Sequence, residues 1–141
     1  MKNLINQLNI ILVLISTVAC NSNQSQPSAI HKNDIVLNQG QKWKVNPEMM
    51  VYIHQSETTA KEALHGDAID YVLVGNTLTK QVKLLTKSCT MKGQSHDELH
   101  KWLHPYMLLV DSLSSANSTD EAHKLIKDIN HSFEQFHTYF E

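Results

Sequence analysis

The chain of 141 residues contains no arginine at all, and only two cysteines, three prolines and four glycines. Without arginine there is no planar fork for phosphate or carboxylate, and the twelve lysines form no clustered basic stretch. Nucleic-acid binding is therefore disfavoured, and so is recognition of nucleotides or phosphoproteins. Two cysteines separated by 68 intervening residues supply neither a disulfide framework nor a C-x-x-C redox or haem-attachment motif. The scarcity of glycine removes phosphate-cradling loops, and no G-x-S-x-G elbow is present.

What is present divides unevenly along the chain. Met1 to Ala19 has one lysine, Lys2, an apolar run from Leu8 to Val18 and the small residue Ala19. A run of about eleven apolar residues is too short to span a bilayer and has the build of a secretory signal. The stretch "STVAC" that ends at Cys20 resembles the lipobox of bacterial lipoproteins, with Thr17 in the place usually held by leucine. The resemblance implies cleavage before Cys20, diacylglycerol on its thiol and palmitate-type acyl chains. It further implies a membrane-anchored protein of the bacterial cell envelope, its domain facing the periplasm or the exterior. Its membrane partner would be reached through that anchor, and no protein partner can be named.

Removing the first 19 residues leaves 122, with 11 lysines against 14 carboxylates and a net charge of −3. Residues 20–34, from Cys20 through "NSNQSQPSAIHKND", are polar and small and read as a tether. Residues 35–45, "IVLNQGQKWKV", read as a short extended strap or hairpin around Asn38-Gln39-Gly40, with Trp43 closing one end of the core.

Residues 46–141 carry helical punctuation. Asn46-Pro47-Glu48 opens a first helix and Gly66 stops it. Asp67 can cap a second helix, running to about Met91 and stopping at Gly93. Ser95 with Glu98, and Ser118 with Glu121, have capping-box spacing for a third and a fourth. Apolar stripes recur at three and four: Val74, Leu78, Val82 and Leu85; Leu99, Leu103, Tyr106 and Val110; Ile129, Phe133 and Phe136. Pro105 inside the third helix predicts a bend. The reading is an all-α, antiparallel up-down four-helix bundle.

Alternating helix direction gathers Met49, Met50, Cys89, Met91, His96 and His137 at one end, with His65 and His123 at the other. Cys89 extends the second stripe inward. His96 lies about 60° from Leu99, and His100 and His104 rotate outward to about 100° and 140°. Thiolate, thioether and imidazole are soft-metal ligands, so Cys89, Met91 and His96, with His100 adjacent, form a candidate site for Cu(I) first and Zn(II) second. The bland alternative is a core cysteine beside a wet histidine face, on a non-catalytic interaction module whose exposed third-helix face bears Trp102.

The terminal stretch "SFEQFHTYFE" resembles the end of the soluble periplasmic b-type cytochromes. That resemblance implies a four-helix bundle holding haem b, with Met50 (or Met49) and His137 as iron ligands. Catalysis is not expected. Cys89 and His96 offer a dyad without an oxyanion donor, and the pairs Glu62–His65 and Glu134–His137 fall at opposite ends of the bundle.

Overall fold

The computed structural model describes residues 34–66 and 69–141. The signal, Cys20, most of the tether and Asp67 lie outside them. Four helices follow in order: α1 Pro47–His65, α2 Tyr71–Lys87, α3 Gln94–Ser114 and α4 Thr119–Tyr139. Among the described residues there is no strand, only two isolated bridges. No described helix is long and apolar enough to cross a membrane.

Each helix packs on its neighbours in sequence, and α1 also packs on α4, which closes a four-helix bundle. The polar contacts between helices have a consistent sense. Asn46 Nδ2 donates to Thr90 Oγ1 while Thr59 meets Gln81, so numbers rise on one side and fall on the other. Across α1 and α4, Glu57 meets His137 and Ala60 meets Asn130, in the same descending order.

The helix ends follow local chemistry, with three corrections to the sequence reading. Asp70, not Asp67, caps α2, its Oδ1 accepting from Leu73 N–H at 3.0 Å. It stands directly before the apolar stripe, where an N-cap belongs. The helix then stops at Lys87 rather than near Met91, because Ser88 Oγ donates back to Leu85 O at 2.9 Å and Ser88, Cys89 and Thr90 favour helix poorly. Cys89 and Met91 therefore sit on a link and not on a helical face. Third, α3 is capped by Gly93 at φ 68°, a backbone region open mainly to glycine. Ser95 already lies inside the helix and donates to Lys92 O. The Ser118 cap is as expected, its Oγ accepting from Glu121 N–H, and Glu121 Oε2 accepts from Asn117 N–H. The helix α3 continues through Pro105 to Ser114.

Glu98 is engaged elsewhere. It is 5% exposed, accepts the Val36 N–H at 3.0 Å through Oε2 and pairs with Lys101 Nζ at 2.8 Å through Oε1. It thus ties the 35–45 segment to α3, and Lys101 Nζ also donates to Asp34 O. The segment turns at Asn38–Gln41, where Gln39 and Gly40 both have positive φ, as a type I′ turn requires. It then runs beside the C-terminus: Trp43 N–H donates to Tyr139 O and Glu141 N–H to Trp43 O. The chain's two described ends are stitched to each other.

The core is aromatic at its centre. Trp102, Tyr106, Phe133, Phe136 and Phe140 are all nearly inaccessible. Trp102 and Tyr106 stack at 5.1 Å and 7°, and Trp102 Nε1 donates to Ser132 O at 2.8 Å. The expectation of an exposed Trp102 contact surface is overturned: the residue is 1% exposed. The apolar stripe of α3 is broad enough to take in Trp102 between Leu99 and Leu103, as a bundle helix requires.

Candidate functional site

Helix α3 opens with histidines at a four-residue step, His96, His100 and His104. One turn separates each from the next, so their side chains stack along one edge. His96 and His100 meet there, Nε2 to Nε2, at 3.0 Å, with ring centroids 4.3 Å apart and planes at 61°. The centroids are farther apart than the nitrogens but closer than a collinear N–H···N bond would set them. The two rings therefore converge on their Nε2 edges. The His96 side chain is 34% exposed, and its other nitrogen, Nδ1, stands 3.8 Å from Asp97 Oδ1. His100 is exposed, and His104 still more to one side of the pair, beside Asp97, Lys101 and Leu108 around a shallow depression. The outward rotation along this face follows the helical geometry expected from sequence. Burial, then the nearby charges of His96 and His104, hold the His100 imidazole below its ordinary pKa, and Asp97 opposes them.

Cys89 and Met91 are not joined to this pair in a preformed cluster. Met91 is 8% exposed and belongs to the core, and Cys89 is a free, half-buried thiol packed against it. Among the described residues no three His, Cys, Asp or Glu side chains converge to hold a metal ion. What the structure brings together from the sequence-derived set is His96 and His100.

A second constellation was not foreseen. Glu57 on α1 is 8% exposed, yet it receives Lys61 Nζ at 2.7 Å, and His137 Nε2 lies 3.0 Å from both of its oxygens. Burial alone would raise the Glu57 carboxyl, but Lys61 and His137 outweigh it and hold it below the usual value. The group lies along the α1–α4 seam, beside a cleft of about 540 Å³ that Phe133 and Asn130 also line. The signal for it was a carboxylate on the apolar stripe of α1, between Ile53 and Ala60, with a lysine one turn on.

This arrangement bears on the haem ligands. His137 Nε2, the atom an iron would need, is engaged by Glu57, which stands seven residues along α1 from Met50. Met50 is half-buried and Met49 is inaccessible. Nor do the Glu-x-x-His pairs assemble: Glu134 bonds His131 at 2.9 Å instead of His137. Burial pushes the deeply buried Tyr106 hydroxyl up to about 12, so it stays protonated at neutral pH.

No family model matches the chain, and no curated protein or solved structure matches it either.

Proposed function

We propose that this is a non-catalytic, lipid-anchored protein of the bacterial envelope whose helical bundle binds a transition-metal ion through His96 and His100. The anchoring part rests on the signal and the "STVAC" stretch. The metal part is carried by one observation, the 3.0 Å separation of the two Nε2 atoms. With metal–nitrogen bonds of about 2.0–2.1 Å, that separation corresponds to a ligand angle of about 95°. This is close to a cis pair in a tetragonal Cu(II) or Ni(II) site, and opening the nitrogens by about 0.3 Å reaches the tetrahedral angle of Zn(II). Two imidazoles without a thiolate favour these borderline ions over the Cu(I) suggested by Cys89 and Met91. In the metal-free state the nitrogens share one proton, one donating and one accepting. Binding frees both lone pairs by moving that proton to Nδ1, the tautomer that Asp97 beside His96 Nδ1 favours.

The test is calorimetric titration of the full chain in detergent with Zn(II), Cu(II) and Cu(I). His100→Ala is expected to weaken Zn(II) and Cu(II) binding at least tenfold, about 1.4 kcal/mol. Cys89→Ala is expected to leave both unchanged. Loss of binding in Cys89→Ala together with an unaffected His100→Ala would overturn the assignment in favour of the thiol.

A further inference from the structure

The pair His96–His100 is an incomplete site. It offers two of the four ligands that a tetrahedral ion takes, and no third His, Cys, Asp or Glu among the described residues joins it. It also stands on the outer edge of a helix, where His100 is exposed at the rim of a shallow, open depression.

We propose that a second copy of this chain completes the site, so that one Zn(II) ion is held by His96 and His100 of each copy and bridges a two-fold symmetric dimer. The proposal rests on the metal-binding reading above. Symmetry makes the completion economical: a two-fold axis through the ion brings the same two nitrogens to the other side, and the ligand set closes at four imidazoles. The charge also closes. Four neutral imidazoles leave the ion's two positive charges uncompensated. Asp97, whose Oδ1 is 3.8 Å from the non-ligating nitrogen of His96, supplies one negative charge from each copy. Asp97 is exposed and free of other partners within the described residues, so it can turn to accept the His96 Nδ1–H. On each chain one proton moves from Nε2 to Nδ1 as the Nε2 atoms coordinate. Each chain donates two lone pairs, and nothing is oxidised or reduced.

The link between copies is formed by metal bonds and not by an apolar patch. Trp102, the aromatic residue nearest in sequence to the pair, is turned into the core and unavailable for a hydrophobic dimer. A dimer held by this bridge comes apart when the ion is removed. If both copies are anchored in one membrane, confinement to its plane raises their effective concentration for this contact.

The experiment is sedimentation equilibrium of the full chain in density-matched detergent, with Zn(II) raised from none to excess and then removed by EDTA. The expected result is a doubling of protein mass at half an equivalent of Zn(II) per chain, reversed by EDTA. His100→Ala should abolish both the uptake and the doubling, while His104→Ala, on the same face, should retain both. His100→Ala is checked for an unchanged helical circular dichroism spectrum, which an exposed position allows. Uptake of one ion per chain at monomer mass, lost in His100→Ala, would overturn the bridge and leave the metal-binding reading standing. A dimer that persists in His100→Ala or in EDTA would likewise overturn the bridge. No Zn(II) uptake at all would overturn the reading on which it rests.

Discussion

His137 and His100 each have Nε2 3.0 Å from a partner, yet the two contacts are opposite in kind. His137 reaches across the α1–α4 seam to a buried carboxylate, and Lys61 holds that carboxylate from the other side. A buried carboxylate accepts from two sides there, and two helices are tied. His100 meets another histidine on its own helix, in partial exposure, where protonation of both rings would repel and a cation would be shared. The first contact is saturated and belongs to the fold. The second joins two residues of one helix and ties no elements together. The comparison teaches that an imidazole's role is set by what faces its free nitrogen, not by its place in a histidine-rich stretch.

The contrast breaks first under mutation. Glu57→Ala leaves the His137 and Lys61 donors without their carboxylate and should cost roughly 1.5–3 kcal/mol, the range for hydrogen bonds to charged groups. Urea denaturation measures it as a lower midpoint at unchanged slope. Glu98 offers a second cross-element carboxylate. Glu98→Ala should cost about 1–2 kcal/mol by orphaning the Val36 N–H, with faster hydrogen exchange at Val36 as its local signature.

Acid should reproduce part of the first effect without mutation. The folded Glu57 carboxyl is held below its ordinary value of 4.5, so between the two values the unfolded chain binds more protons. Its contribution is complete above about pH 4.5 and is lost as pH falls through the folded value. Glu57→Gln should therefore flatten the acid limb of a stability–pH profile. An unchanged limb would mean that the Glu57–His137–Lys61 group carries no net stabilisation. The smallest effect is expected at the histidine pair: His100→Ala should change stability by less than about 0.5 kcal/mol, as substitutions at exposed positions that tie no elements together do. A cost comparable to that of Glu57→Ala would place the pair in the fold and erase the contrast.

Much of the fold was legible in the sequence because its punctuation is local. Pro47, Gly66, Gly93 and Ser118 each act within a turn of themselves, and the stripes on α2, α3 and α4 are periodic enough to count. The misses are of two physical kinds. Lys87 ends α2 early through a side-chain bond from Ser88 that competes with continued helix, and propensity patterns resolve such ends poorly. Glu98 and Glu57 are long-range events: each carboxylate is fixed by groups far away in sequence, Val36 and His137, which no window of residues contains. Trp102 was misplaced because the stripe on α3 was drawn too narrow. At the site, the four-residue step of His96 and His100 was readable as stacking, but their convergence was not. Cys89 and Met91 are chemically soft, but the early end of α2 leaves them on a link, with Met91 buried in the core.

The central claim is that His96 and His100 act as one chelate and His137 does not. Long-range ¹H–¹⁵N correlation of the imidazole nitrogens, recorded on the full chain with and without Zn(II), tests it most directly. The account predicts that Nε2 of His96 and His100 shift together to metal-bound values with their protons on Nδ1, while His137 keeps its signature beside Glu57. Zn(II) shifts at His137, or at only one of His96 and His100, would contradict it.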